Sequence, residues 1–424
     1  MTTKNNHEQE LPEPGASPEV QRFYDRYPYP RPVDDLQSYG RLWQDYQRRV
    51  ADFHLFWPAQ KYRENYSILV AGCGTSQAAK YAIRWPHAQV TGIDFSATSL
   101  AKTEELKRRH NLTNLNLRQL PVERVGELGA GFDQIVCTGV LHHLVDPDVG
   151  LRALQGVLKP DGAMHLMVYA PYGRAGIYML QDFCRRLGIS ASDNAIRDLI
   201  IALKALPPGH PMETILRMAP DFGDEAELAD ALLHPQDRAY SVPEFFQFLQ
   251  KAGLEFGRWT RQAPYSARCG LIASLPQAAQ LNRLPLEQQF AAVELFRGTM
   301  PRHSAVVYHN GSSAKLQLID FSGDDWLDYV PILMADTVCV LERLPLGSAA
   351  VLINRGHSFR DIFLPITAVE KRLFDAIDGK RTIAEIIRAI DPSSKETGTA
   401  DLARNFFDQV WWQDQVVFHK AELP

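Results

Sequence analysis

The stretch "YSILVAGCGTSQAAKYAIRWPHAQVTGIDFS", Tyr66–Ser96, decides the reading of this chain. Ile68, Leu69, Val70 and Ala71 form a short apolar run that stops at glycine, as a strand buried on both faces of a parallel sheet does. Gly72 and Gly74 allow a tight turn and a close approach of backbone to ligand. "SQAAKYAIRW" is alanine-rich and helical, with Pro86 just past its end. "AQVTGIDFS" is a second strand and ends in Asp94. The unit is βαβ.

The turn is neither of two common phosphate cradles. A third glycine of GxGxxG would fall near Ala78 or Ala79 and is missing, and no GK[ST] follows. A ligand with a ribose and a small anionic end remains. Asp94 can accept hydrogen bonds from both ribose hydroxyls, and the turn amides can meet a carboxylate. S-adenosylmethionine has both groups. Downstream, "NLNLRQLPVERV" reads as a third strand and its exit, "FDQIVCTGVLHHLVDP" as a fourth, and "LKPDGAMHLMVYA" as a turn and a fifth. Their carboxyl ends converge where open α/β sheets bind ligands.

With "VAGCGTS", "GIDFS", "FDQIVCTGVLHHL" and "LKPDGAMHLMV" in this order and spacing, the chain from about Tyr66 to Ala170 resembles a class I S-adenosylmethionine-dependent methyltransferase. The resemblance implies a doubly wound, mostly parallel α/β sheet and S-adenosyl-L-methionine as cofactor. It implies that Ala71, Gly72 and Gly74 border the methionine part, Asp94 holds the ribose and Phe95 lies beside the adenine. Pro121 and Val122 match the adenine edge, and Thr138 and Gly139 the loop beneath the sulfonium. The family's usual acid after strand three is replaced by Gln119. His142 and His143 are candidates for packing, cofactor cradling or catalysis.

Around this domain the sequence offers a lid and a cover. "RFYDRYPYPRPVDDL", Arg22–Leu36, has three prolines and three tyrosines and is expected to be irregular. Tyr24, Tyr27 and Tyr29 are its candidate pocket residues, with Tyr29 also a candidate in catalysis. "YPYP"-type stretches precede the fold in a broad bacterial group that this segment resembles. After strand five, Tyr169, Tyr172, Arg174 and Tyr178 are candidate acceptor contacts, since loops at strand ends carry function. Residues 188–233 read as a helical insert. His234, Asp237, Arg238 and Tyr240, in the loop that returns to the sheet, are further candidates.

The expected organisation is a disordered tail over 1–20, a lid and helix over 21–65, the methyltransferase domain over 66–280 and an accessory domain over 281–424. In the last, Thr367 with Glu370 and Thr382 with Glu385 are capping boxes that open two helices. A third helix and the strand "WWQDQVVF" complete an α+β, winged-helix-like arrangement. This part resembles the C-terminal domains of bacterial protein-lysine methyltransferases. Thr367–Pro424 carries 8 Lys+Arg against 10 Asp+Glu, without the positive footprint of a nucleic-acid binder.

Length and composition agree. The 424 residues, 45% hydrophobic and 22% charged, suit several domains of an ordinary globular chain. A net charge of -5 argues against nucleic acid or an anionic membrane as partner. Five scattered cysteines contain no CxxC pair, so no metal is expected and a reducing, cytoplasmic setting fits. Cys73 reads as a small buried residue. No window approaches a membrane span, and the start lacks a signal-peptide pattern. The expected activity is methyl transfer to an O or N nucleophile of a small metabolite under the tyrosine-rich lid. Transfer to a protein or peptide side chain and a non-catalytic cofactor-binding scaffold are the rivals; a homodimer is left open.

Overall fold

The computed structural model describes residues 18–218, 225–312, 319–391 and 397–420. Residues 1–17 of the expected tail lie outside the described residues. Pro18–Arg26 is a helix that buries Val20 and Phe23, so residues 18–20, expected in the tail, are helical and the segment leading into the lid begins as a helix. Irregular backbone starts only at Tyr27, because the prolines cluster after it.

The main sheet has seven strands: β1 (Ser67–Ala71), β2 (Gln89–Asp94), β3 (Leu115–Gln119), β4 (Phe132–Thr138), β5 (Leu158–Tyr169), β6 (Leu254–Trp259) and β7 (Arg302–His309). Their order is β3-β2-β1-β4-β5-β7-β6. The first five are parallel, and β7 runs antiparallel between β5 and β6. The apolar run of β1 is fully buried, as its central position requires. The helix Gln77–Arg84 sits close on the sheet because its inward positions are small: Ala78, Ala79 and Ala82 are buried. A Cβ on Gly92 of β2 would lie 2.7 Å from that of Ala78.

Two features differ from the sequence expectation. The sheet takes β7 from beyond residue 280, so the boundary expected there cuts the methyltransferase sheet. Helix 286–297 also packs on this core through Phe290 and Val293. Sequence order hid this, since a strand inserted between two others has no local signature. The insert is helical as read, with helices Asp193–Lys204, Met212–Met218 and Glu225–Leu233 following Ala175–Arg186.

The C-terminal part has its own core of Ile383, Ile386, Phe406, Phe407 and Phe418. Both capping boxes form, opening helices Ala368–Asp375 and Ile383–Ile390, and a third helix spans Thr397–Trp412. Strands β8 (Tyr329–Leu333), β9 (Thr337–Val340), β10 (Ala350–Asn354) and β11 (Leu364–Ile366) precede them, and β12 (Val416–Lys420) follows. β9–β11 form a small antiparallel sheet, while β12 pairs with β8. This part is docked on the rest: the buried Asp414 meets Arg258 at 3.2 Å and accepts the amide of Ala263 at 2.9 Å.

Candidate active site

The register Ala71↔Ile93 brings the ends of β1 and β2 side by side, with Gly72 next to Asp94. Gly72 and Gly74 have φ of 65° and 54°, a left-handed backbone that side chains disfavour. The Asp94 carboxylate accepts the amide of Gly74 at 2.8 Å and that of Ser96 at 2.9 Å. These two bonds fix its plane and leave further lone pairs free. Burial pushes its pKa up to about 6, against the lowering effect of the backbone bonds.

A cavity of about 1470 Å³ opens beside this carboxylate. Gly72, Gly74, Asp94, Phe95, Pro121, Val122, Thr138 and Gly139 line it. Ala71 does not; it is wholly buried at the end of β1. Gln77 donates to the Thr138 hydroxyl at 2.7 Å, tying the glycine-turn helix to β4. Gln119 donates to the Phe95 carbonyl at 3.1 Å. Glu123 also lines the cavity, and its Oε2 is buried without a hydrogen-bond partner. Sequence reading looked for an acid at Gln119 and passed over this one, four residues on; the "VERV" turn was the available signal.

Tyr24, Tyr29, His143 and Tyr169 line the same cavity. The lid peptide lies on the glycine turn: a Cβ on Gly74 would stand 3.0 Å from the Tyr29 carbonyl oxygen. Burial pushes the Tyr29 phenol up to about 12, so it stays protonated at neutral pH and does not serve there as a base. His143 Nδ1 is 2.8 Å from the Gln236 carbonyl. That bond makes Nδ1 the protonated nitrogen and leaves Nε2 an acceptor. Burial lowers its pKa, keeping the ring neutral.

The other expected residues stand behind this wall. Arg174 lies 3.5 Å over the Tyr169 ring and 3.6 Å from Asp237. Tyr178 accepts from Arg174 at 3.3 Å, and Asp237 accepts from Gln181 at 3.0 Å. Tyr27 is buried in the insert core and donates to Asp193 at 3.2 Å. Tyr240 stacks on Phe248, its ring covered by Arg238, whose amide donates to the His142 carbonyl at 3.1 Å. Tyr172 is exposed. None of these seven, nor His142, borders the cavity. Periodicity cannot separate a residue facing a pocket from one directly behind it.

His142, His143 and His234 are packed with Asp230 and Asp237. The His143 and His234 ring centroids are 3.9 Å apart, and both His142 nitrogens are buried without partners. Two sets, His142–His143–Asp237 and His143–Asp230–His234, hold ligand atoms within 4.8 Å of one another and could take a metal ion. Spacing alone did not signal them, since 87 residues separate His143 from Asp230.

A glycine turn against a buried acid, at the carboxyl edge of a sheet ordered β3-β2-β1-β4-β5-β7-β6, defines the class I methyltransferase fold. Residues 69–164 match the methyltransferase domain family. An uncharacterised protein of Synechococcus is 34% identical over 247 residues, covering 56% of this chain and 58% of its own length. The ubiquinone biosynthesis O-methyltransferase of Acinetobacter baumannii is 33% identical over 96 residues, 22% of this chain and 40% of that protein. The chain thus spans about half the length of the curated relatives it matches. In fold it is similar to PKMT2 from Rickettsia typhi, solved with AdoHcy, with a TM-score of 0.60, 15% identity and coverage of 89% and 76% of the two chains.

Proposed function

We propose that this chain is an S-adenosylmethionine-dependent methyltransferase acting on an O or N nucleophile of a small metabolite. One observation carries this reading. The cavity runs without a break from the Gly74–Asp94 corner to the wall of Tyr29, His143 and Tyr169, so cofactor and acceptor would share one space. The fit to the cofactor rests on two acceptors. Asp94 has free lone pairs for ribose hydroxyls, and the unpartnered Glu123 Oε2 can accept from an exocyclic adenine amine.

When bound, the cofactor supplies a methyl group already activated by its sulfonium. The protein then mainly positions the partners and excludes water. Thr138 and Gly139 line the cavity, and the Tyr29 segment lies on the turn. The cofactor would supply the methyl carbon as the electrophile for an acceptor lone pair and would keep the pair of the sulfur–carbon bond. An acceptor that carries a proton passes it to His143 Nε2, the one nitrogen of that ring left free to accept it.

A second reading is a peptide acceptor. Residues 355–361, from the accessory domain with its three helices and winged-helix-like strands, form part of the cavity wall, so that domain would help present a side chain. The scaffold alternative fits less well with a cavity that joins the glycine–acid corner to the wall of Tyr29, His143 and Tyr169. For location, no helix among the described residues is long and apolar enough to cross a membrane. The free cysteines suit a reducing cytoplasm.

Calorimetry of S-adenosylmethionine against wild type and Asp94→Ala tests the cofactor assignment. Loss of about 100-fold or more in affinity is expected, as two hydrogen bonds to a charged group are removed at about 1.5–3 kcal/mol each. Equal binding by both proteins would reject it.

A further inference from the structure

The acceptor end of the cavity is positively charged, and its charge comes from parts of the chain far apart in sequence. Six cationic side chains line the cavity, Lys80, Arg84, Arg261, Arg302, Arg355 and Arg360, against four carboxylates. Two of the four, Asp94 and Glu123, belong to the cofactor end. The other two are already engaged: Asp52 pairs with Arg84 at 3.3 Å and Asp361 with Arg297 at 3.2 Å. Arg261 is held by Asp336 at 2.6 Å. Arg302, Arg355 and Arg360 have no ion-pair partner among the described residues.

The three side chains are exposed, and it is the backbone that carries them which is fixed. Arg302 opens β7 directly opposite Tyr169 of β5, which borders the cavity beside His143. Arg355 and Arg360 sit on the 355–361 loop of the accessory domain, which is pinned at both ends. At one end the Arg261 guanidinium lies against Gly356, where a Cβ would stand 2.1 Å from its Nε. At the other, Asp361 takes both Arg297 and the amide of Leu271, the latter at 3.0 Å. Between them His357 lines the cavity with both ring nitrogens unpartnered. The field converges on the cavity floor. His165 is pushed down to about 4, by burial first and then by Arg84, Arg302 and Arg261 together.

We propose that the acceptor is an anionic small molecule, carrying a carboxylate or a phosphate that is anchored by Arg302 with Arg355 and Arg360 while its nucleophile faces the methyl group. This rests on the methyltransferase reading and chooses between its two acceptors. Guanidinium forks match carboxylate and phosphate geometry. The same three unpaired cations repel the ammonium of a lysine side chain. The accessory domain thereby completes the acceptor site with its loop.

The test gives the full-length protein S-adenosylmethionine labelled in its methyl group, with a bacterial extract divided into small molecules and protein. Label is counted in three pools: small molecules retained by an anion exchanger, other small molecules, and acid-precipitated protein. Most label is expected in the first pool. Transfer there should fall at least tenfold in R302Q/R355Q/R360Q, with cofactor affinity unchanged. Phosphatase treatment that releases the label from the exchanger marks a phosphate; retention marks a carboxylate. Label in the protein pool or among cationic and neutral molecules overturns the proposal, as does a triple variant that transfers at the wild-type rate. No label in any pool, despite cofactor binding that depends on Asp94, overturns the methyltransferase reading and this one with it.

Discussion

The Gly74 amide donates to the Asp94 carboxylate at 2.8 Å, across 20 residues of sequence. This bond joins the two halves of the cofactor corner. It holds the acid in the plane from which it meets the cavity, and it ties the turn to the second strand.

Cofactor affinity is expected to depend on pH through that acid. Burial raises its pKa to about 6, and hydroxyl donors require the ionised form. Affinity should therefore be flat above pH 7 and fall as pH drops through 6, by about tenfold per unit below it. Calorimetry between pH 5 and 8 measures this. A profile flat down to pH 5 would contradict the assignment of Asp94 to the ribose.

Gly72→Ala should lower both melting temperature and cofactor affinity. The position has φ of 65°, and a Cβ there would lie 2.3 Å from a Val140 methyl. A left-handed non-glycine residue costs about 1–3 kcal/mol, and displacement of Val140 disturbs the loop beside Gly139. Differential scanning calorimetry with and without cofactor separates the two effects. Wild-type behaviour in both would show that the turn relaxes freely.

Glu123→Leu is predicted to weaken cofactor binding about tenfold without lowering melting temperature. Its buried Oε2 has no partner in the protein, so removing that atom breaks no hydrogen bond. An unchanged dissociation constant would remove Glu123 from the cofactor site.

Asp414→Ala should destabilise the whole chain by about 3–5 kcal/mol, because it strands the buried Arg258 without a counter-charge. Thermal unfolding of the variant measures the loss. A drop confined to a separate C-terminal transition would mean that the accessory domain melts alone; one shifted transition would show that both parts unfold together.

Much of this site was legible in one dimension because its signals are local. A buried strand, two glycines, a small-residue helix and an acid lie within Tyr66–Ser96, and each obeys short-range stereochemistry. Thr138, Gly139 and His143 were legible through a resemblance over a continuous run. The capping boxes at Thr367 and Thr382 are likewise local, and both form. The boundary near 280 misled because β7 enters the sheet between β5 and β6, a choice made by packing. Arg174, Asp237 and Tyr240 were placed in the pocket by chain proximity, yet they support its wall from behind. Glu123 was missed by a search tied to one position.

The sequence by itself determined the sheet's parallel core, the glycine–acid corner and the nature of the ligand it suits. Those properties depend on backbone freedom and side-chain pattern over a few residues. Only the tertiary structure decided which charges gather around the rest of the cavity. Arg302 reaches it on an antiparallel strand inserted late in the chain. Arg355, His357 and Arg360 reach it because Arg261, Asp336, Arg297 and Asp361 clamp a distant loop there. Charge that gathers from separate segments has no period in the sequence; it exists only once packing has set which ion pairs form and which arginines are left over.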